Sequence, residues 1–317
     1  MKINKFKQIL GDFLSTQIKY NYIDVGSSLP LNNFINLFSD FLNIYLFEPS
    51  EKEYEKLKKF VKNKKNFFLQ KKAIGLKKNL SVNLYSNKNL SSILKVNENL
   101  NAIHPKFQFI RKVKVRAVRI DEIIKTNSLS VLKIDAQGYG LQCLKSAKKI
   151  LNKIPIVIIE AEKYQMYKNQ KLDFDIAKYL YKKNFMQVGN ITDYKKSLHP
   201  NNKKNNSYFK EIIYSSDILF VKNFFIKKLN KREYILIILF LTIFHFCDLA
   251  LHVLEKSNLS LYIKSKLKSL IIARLKINKV VLKKYFLKMQ QKKISLSKFV
   301  KLSSWNDENN IFSNNSY

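Results

Sequence analysis

Four acidic side chains stand at or beside the ends of short apolar runs in this sequence. Asp24 and Glu48 close the first two runs, and Asp135 and Glu160 close two later ones. A buried parallel strand often ends in this way when a ligand lies at the carboxyl edge of its sheet. Gly26 follows the first run, where a glycine allows a sharp turn and a close approach of the backbone to a ligand. These residues indicate a ligand site lined by carboxylates.

The motifs around Gly26 restrict the kind of ligand. The sequence has neither the G-x-G-x-x-G pattern of dinucleotide-binding folds nor the G-x-x-x-x-G-K-[ST] pattern of a P-loop. One glycine behind Asp24, and an acid after the second run, suit a ligand with a ribose and no pyrophosphate. S-adenosylmethionine fits, with its methionine half over the Gly26 loop near Asp24 and its ribose hydroxyls facing Glu48. Two alternatives stay open on these residues alone: Asp24 as a helix N-cap and Glu48 as a surface carboxylate.

Strands alternate with helices along most of the chain. Strands are predicted over residues 17–25, 43–47, 67–74, 131–135, 154–160, 185–189 and 212–222, with extra strands over 80–84 and 107–118. Helices are predicted over residues 2–13, 31–41, 50–62, 121–125, 139–151 and 173–183, the third of them with Ser50 as its N-cap. This alternation predicts an α/β fold with a Rossmann-like, doubly wound and mostly parallel sheet.

The composition indicates which binding partners and which cellular compartment to expect. A formal net charge of +36 raises the possibility of a nucleic-acid ligand. Lysine is spread along the chain, arginine is scarce, and acidic strand ends would repel phosphates, so nucleic acid is not the expected partner. Two distant cysteines indicate a reducing compartment, and the N-terminus lacks the apolar run of a signal peptide. The scattered histidines show no metal-binding spacing, so no metal site is predicted.

The chain changes character near residue 223. We therefore divide it into a Rossmann-like domain, residues 1–223, and a helical, hydrophobic and basic extension, residues 224–317. Residues 235–247 are apolar but fewer than the ~20 that a membrane span needs, so they predict either a helix buried against the domain or a partner, or one that dips into a membrane. Residues 256–301 predict a lysine-rich amphipathic helix that adsorbs to anionic lipid or packs on the domain. The expected location is the cytoplasm, with peripheral contact at the inner membrane face as a hypothesis.

Segments typical of one family occur in order along the chain. They are Y-I-D-V-G-S-S-L-P at residues 22–30, L-F-E-P at 46–49, A-I-G at 73–75, L-Y-S-N and S-S-I-L within 84–94, V-R-I-D-E-I-I at 118–124, L-K-I-D-A-Q-G at 132–138, I-I-E-A-E at 158–162 and D-I-L-F-V-K at 217–222. Over residues 17–223 the chain resembles the FkbM-type methyltransferases. The ordered set is more specific than any single segment.

The resemblance implies a class I methyltransferase type of Rossmann-like fold and an S-adenosylmethionine-dependent O-methyltransferase. The implied acceptor is a hydroxyl group, either on a sugar of a glycan or on a small molecule such as a secondary metabolite. Asp135 would lie over the reaction centre. The implied cofactor contacts are Asp24, Gly26, Ser27, Glu48, Pro49 and Gly75.

A hydroxyl acceptor needs a general base, and the sequence offers three candidates. Asp135 is the first, and Glu160 and His104 are alternates. Gly140 stands where relatives often carry a glutamate, which motivates the rival hypothesis of a cofactor-binding domain with impaired catalysis. A second rival is a basic adaptor that binds membrane or nucleic acid without a cofactor.

Overall fold

Ten strands form two sheets in the computed structural model, which describes residues 20–31, 35, 39, 42–100, 107–124, 128–197, 211–226 and 228–275. The strands are β1 (Tyr20–Val25), β2 (Leu42–Phe47), β3 (Phe67–Gln70), β4 (Ala73–Ile74), β5 (Asn79–Tyr85), β6 (Phe109–Val118), β7 (Ser130–Ile134), β8 (Ile156–Glu162), β9 (Phe185–Lys196) and β10 (Ile212–Lys222). The larger sheet has seven strands in the order β3-β2-β1-β7-β8-β10-β9. Its first five are parallel, and β10 runs antiparallel to both β8 and β9.

The helices cover both faces of this sheet. They are α1 (Glu51–Val61), α2 (Ile120–Ile123), α3 (Gly140–Ser146), α4 (Asp173–Tyr181), α5 (Lys231–Ile243), α6 (Cys247–Lys256) and α7, at residues 261–275. The predicted helix over residues 2–13 lies outside the described residues. The α/β, Rossmann-like and mostly parallel architecture predicted from the sequence is confirmed.

Alternate side chains of the central strands enter two separate cores because both sheet faces are covered. Tyr22, Val131 and Ile158 lie in the first core, which also holds the apolar side chains of α5, α6 and α7. Ile23 and Leu132 lie in the second core, with the buried side chains of α3 and α4. The near-continuous apolar runs seen in the sequence are therefore two-sided strands.

The strand order reverses between β1 and β7, which are parallel neighbours although the chain runs from β1 to β2 first. Ligands in open parallel sheets bind beyond the carboxyl ends of the strands at such a point. Around this point Asp24 is the next-to-last residue of β1, and Glu48 and Asp135 directly follow β2 and β7. The topology therefore brings together three carboxylates that are distant in sequence.

The prediction of one strand over residues 67–74 is wrong, because this segment forms two strands. They lie in two sheets: β3 pairs with β2 at the edge of the large sheet, and β4 pairs with β6. Most of β3 is only partly buried, whereas both residues of β4 are buried in the second core. The chain therefore changes sheets after β3, and β4, β6 and β5 form a separate three-stranded sheet, in which β5 and β6 are the extra strands that the sequence predicted.

The apolar segment over residues 235–247 is not one helix. Within this segment α5 ends at Ile243 and α6 begins at Cys247. His245, between the two helices, has a φ of 67°. Most residues of α5 are buried against the sheet, as one of the two predictions for this segment proposed. In the part of the chain that the structure describes, no helix combines the length and apolarity that a bilayer crossing requires.

The extension is joined to the sheet by polar contacts as well as by the first core. Lys222 at the end of β10 forms an ion pair with Glu233 of α5. Asn230 and Glu233 form a reciprocal capping box at the start of α5. A guanidinium nitrogen of Arg274 in α7 donates to the carbonyl of Ile243 at 3.2 Å. Residues 228–275 thus pack on the sheet, while the domain boundary at residue 223 itself stays a prediction.

We predict that Leu241→Ala destabilises the protein by ~2–5 kcal/mol, because the truncation leaves a cavity in a core that the sheet shares. Leu241 is fully buried in the first core. Urea unfolding monitored by circular dichroism would measure the change. Leu261→Ala is the matched control, since Leu261 is 86% exposed, and it should change the stability by less than about 0.5 kcal/mol. Equal effects of the two substitutions would contradict a shared core.

Candidate functional site

The turn after β1 has no room for a side chain at residue 26. Gly26 has a φ of 78°, and a Cβ built on it would lie 1.8 Å from the carbonyl oxygen of Asp135. The N–H groups of Gly26 and Ser27 both donate to the carbonyl of Phe47, at 3.0 and 3.1 Å. The turn therefore lies against the ends of both β2 and β7. The sequence correctly predicted a tight glycine turn here, and the reason is the close approach of two strand ends.

Asp24 lies inside β1 and is 3% exposed, so it is not a helix N-cap. Its register partner in β7 is Lys133, whose Nζ lies 3.4 Å from Asp24 Oδ1 and 3.9 Å from Asp135 Oδ2. Burial raises the pKa of Asp24, and Lys133 opposes this rise. Burial lowers the pKa of Lys133, but Asp24 and Asp135 outweigh that effect and hold it well above its usual value. The pair is a charged contact in an enclosed site.

Sequence reasoning missed Lys133. The available signal was a lysine inside the apolar run V-L-K-I that precedes Asp135. In the central strand of a sheet covered on both faces, such a lysine must find a buried acidic partner, because an unpaired charge there is costly. Asp24 is that partner, on the neighbouring strand.

Glu48 follows β2 and is enclosed rather than exposed, which excludes the alternative of a surface carboxylate. It is 9% exposed, and its Oε1 accepts a hydrogen bond from the Ser50 N–H at 2.7 Å. Burial raises the pKa of Glu48 to about 8, against the opposing Ser50 hydrogen bond. Ser50 occupies the N-cap position of α1, but its side chain makes no capping hydrogen bond.

The remaining predicted cofactor contacts lie in turns near these strand ends. Ser27 is fully buried, and its hydroxyl donates to the carbonyl of Asp24 at 2.9 Å. Pro49 is partly buried between Glu48 and α1. Gly75 follows β4 and packs against Tyr139, whose ring would lie 3.3 Å from a Cβ at residue 75. Their contacts with a cofactor stay predictions.

Asp135 and Glu160 lie together at the ends of β7 and β8. The side-chain amide of Gln137 joins them, with Nε2 at 2.8 Å from Asp135 Oδ1 and 2.9 Å from Glu160 Oε2. Ser215 of β10 lies 3.4 Å from the other oxygen of Glu160. Burial is the main cause that holds the pKa of Glu160 well above its usual value, and Asp135 adds to it. The structure thus brings together two of the three predicted catalytic residues.

His104 lies outside the described residues, so its place relative to this carboxyl pair stays a prediction. Two further acids lie beside the pair, and sequence reasoning missed one of them, Asp217, while Glu162 belongs to the segment I-I-E-A-E that it singled out. Burial raises the pKa of Glu162, near the end of β8, to about 8, and burial also raises the pKa of Asp217 in β10. Asp217 accepts a hydrogen bond from the Tyr194 hydroxyl at 3.1 Å and faces Glu160 across the β8–β10 pair.

The acids do not form a metal centre. Over the described ranges, no group of three or more His, Cys, Asp or Glu side chains is arranged to hold a metal ion. Lys133 and the Gln137 amide occupy positions between the carboxylates and supply hydrogen-bond donors there. What this arrangement can do is accept and hold protons at an enclosed edge of the sheet.

Comparison with known proteins supports one family. A model described as the methyltransferase FkbM domain matches residues 28–186, half of the chain. Among solved structures, an rRNA methylase from Streptococcus thermophilus is 11% identical, with coverage of 68% of this chain and 95% of that one and a TM-score of 0.32. A magnesium protoporphyrin IX methyltransferase from Synechocystis PCC 6803, with bound SAM, is 11% identical, with coverage of 70% and 78% and a TM-score of 0.32. No curated protein matches the chain.

We predict that Glu48→Gln stabilises the protein at pH 9 by a few kcal/mol and has little effect near pH 4. The folded-state pKa of Glu48 is about 8, above its ordinary value of 4.5, so the folded protein binds this proton more tightly than the unfolded chain does. The contribution of protonated Glu48 to the free energy of unfolding is fully present below about pH 4.5 and is lost as the pH rises through about 8. Glutamine keeps the acceptor for Ser50 without a charge.

Urea unfolding at a series of pH values would measure this effect. Glu55→Gln is the matched control, because the Glu55 side chain is 46% exposed. Its effect should stay within about 0.5 kcal/mol at every pH. A stability difference for Glu48→Gln that does not change between pH 4 and pH 9 would show that this carboxyl is not held in its neutral form.

Proposed function

The chain belongs to the FkbM methyltransferase family, and from that premise we propose that it transfers a methyl group from S-adenosylmethionine to a hydroxyl of a sugar or a secondary metabolite. The observation that carries the proposal is the carboxylate-lined edge at the strand-order reversal. There Gly26, Glu48 and Asp135 end or follow three adjacent strands. A methyltransferase of this fold needs a cofactor site and a proton acceptor at one sheet edge.

The residues at this edge suit the cofactor. Gly26 has no Cβ, and the Asp135 carbonyl occupies the space that a Cβ would take, so the turn closes tightly on the end of β7. Glu48 presents a carboxyl group with one oxygen on Ser50, which leaves the other for a ribose hydroxyl. The raised pKa of Glu48 suits an enclosed position, where the neutral carboxyl group can also donate a hydrogen bond. Asp24, Ser27, Pro49 and Gly75 would complete the surroundings.

The proton of the acceptor hydroxyl is assigned to Asp135. When bound, S-adenosylmethionine supplies an electrophilic sulfonium methyl group, and transfer leaves a neutral thioether. As the new C–O bond forms, the acceptor oxygen loses its proton, which the Asp135 carboxylate takes up. Burial and the nearby Asp135 hold the pKa of Glu160 well above its usual value, and Glu160 is the alternate base. Holding the acceptor in line is worth roughly 7–11 kcal/mol of the barrier.

Gly140 is the reason to test the rival hypothesis of impaired catalysis. It opens α3 in a buried position, where a Cβ would lie 3.0 Å from Cδ1 of Ile159. No carboxylate is present at this position, whereas Asp135 and Glu160 retain theirs. A protein that binds the cofactor but transfers no methyl group to any acceptor would favour the rival.

We predict that Asp135→Ala abolishes methyl transfer and leaves the dissociation constant of S-adenosylhomocysteine within about threefold of the wild type. The loss of a general base costs ~10²–10⁴-fold in rate. Calorimetry would measure binding, and transfer of radiolabelled methyl groups to a panel of sugars and phenols would measure activity. Asp248→Ala is the control, because Asp248 is an exposed aspartate in α6. Full activity of Asp135→Ala would remove Asp135 from the mechanism, and no binding by the wild type would refute the function.

A second proposal concerns the surface of α7, which combines exposed apolar side chains with lysines. Leu261 is 86% exposed and Tyr262 is 71% exposed. Lys264, Lys266 and Lys268 follow within two turns. Because such a surface suits the interface of an anionic bilayer, we propose that α7 holds the protein at a membrane that carries acidic lipids.

We predict that the double substitution Leu261→Asp and Tyr262→Asp weakens binding to phosphatidylglycerol vesicles by about tenfold, because two apolar side chains lose their insertion. Sedimentation with these vesicles, compared with neutral phosphatidylcholine vesicles, would measure it. Phe174→Asp in α4 is the control, since Phe174 is 63% exposed and lies on another helix. Unchanged sedimentation of the double variant would contradict a role of α7.

A further inference from the structure

Gln137 has a backbone conformation that non-glycine residues rarely adopt. Its φ is 45°, and the next residue, Gly138, has a φ of 83°. The hydroxyl of Ser92, which belongs to the segment between β5 and β6, donates to the Gln137 carbonyl at 2.6 Å. A left-handed conformation at a non-glycine residue costs ~1–3 kcal/mol and persists only where surrounding contacts hold it. The structure therefore maintains this turn at a cost in stability.

The turn directs the Gln137 side chain between the two carboxyl groups. Its Nε2 has two protons, and each has a partner: Asp135 Oδ1 at 2.8 Å and Glu160 Oε2 at 2.9 Å. Its Oε1 accepts a hydrogen bond from the Tyr167 hydroxyl at 3.1 Å. The reverse orientation of the amide would place its oxygen against both carboxyl groups. Tyr167 and the carboxyl pair therefore select one orientation of the amide.

A neutral amide is well suited to this position. Lys133 faces Asp135 from β7, Ser215 faces Glu160 from β10, and the acids Glu162 and Asp217 lie on β8 and β10. A glutamate at residue 137 would add a further negative charge to this group, and an aliphatic residue would remove both hydrogen bonds. The glutamine amide supplies two donors without a charge.

We propose that Gln137 is the positioning residue of the reaction: its amide donates one hydrogen bond to Asp135 and one to Glu160, and so fixes the separation and orientation of the two carboxyl groups. This inference rests on the proposed methyl transfer. Gln137 acts through Asp135 and does not itself take up the proton. Hydrogen bonds donated to a carboxylate stabilise its charged form, so the removal of the amide should make Asp135 harder to ionise.

The test is Gln137→Met, which keeps the length of the side chain and removes its hydrogen bonds. We expect kcat to fall by ~100-fold, while KM and the dissociation constant of S-adenosylhomocysteine stay within about threefold. The apparent pKa of the acidic limb of the kcat–pH profile should rise by about one unit, because lost donors disfavour the ionised carboxylate. Gln137→Glu should show a larger rise, since it adds a like charge.

Tyr167→Phe provides a second variant that does not alter the turn. It removes only the hydroxyl that holds the Gln137 amide, and it should shift the same limb in the same direction by a smaller amount. Unchanged pH profiles in both Gln137→Met and Tyr167→Phe would overturn the inference. So would a loss of kcat in Gln137→Met that is matched by weaker cofactor binding with no shift in the profile, because that result indicates a structural role.

A measurement without any acceptor separates this inference from the proposed function. The carboxyl carbons of ¹³C-labelled Asp and Glu report their titration by NMR in the full chain. If the wild type transfers no methyl group but the carboxyl titration moves upward in Gln137→Met, the proposed function fails and the role of Gln137 in the pair stands. If the titration is unchanged, the inference fails whatever the enzyme assay shows.

Discussion

The contact between the turn at Gly26 and the carbonyl of Asp135 is the constraint on which the site depends. A Cβ at residue 26 would lie 1.8 Å from that oxygen, so no other residue allows the ends of β1 and β7 to approach so closely. The same turn donates two hydrogen bonds to Phe47 at the end of β2. One glycine therefore draws together three strand ends, and with them the carboxylates that each strand carries.

The enclosed acids of this edge contrast with the charge of the whole protein. A chain of net charge +36 places Asp24, Glu48, Glu160 and Glu162 where burial raises the pKa of each. Lys133 and the amide of Gln137 provide donors between them. Burial disfavours the charged form of each of these carboxyl groups, and the neighbouring donors oppose that effect.

The C-terminal helices pack on the face of the sheet that also carries several of these acids. α5, α6 and α7 complete the first core, which encloses the face of the sheet that bears Tyr22, Val131 and Ile158. Asp24, Lys133 and Glu160 lie on that same face by strand alternation, two residues beyond those apolar positions. Helices that look like an appendage in the sequence therefore share the hydrophobic core of the sheet.

Local pattern was enough to predict much of this protein. Apolar runs that end in Asp24, Glu48, Asp135 and Glu160, the glycine at residue 26, and the alternation of strands and helices gave the architecture and the edge at which the site lies. These features are local because burial on two faces and tight turning impose residue types within a few positions.

Tertiary structure alone decided the rest. The pairing of Asp24 with Lys133 depends on the register of β1 with β7, and the bridge from Asp135 through Gln137 to Glu160 depends on the order of β7 and β8. The division of residues 67–74 between two sheets depends on β6, which lies more than thirty residues away in the chain. Charged residues and hydrogen-bond partners on neighbouring strands are not marked by any periodic pattern in the sequence, because they become close only when distant segments pair. The sequence by itself therefore determined which residues lie at the edge, and the fold determined which of them touch.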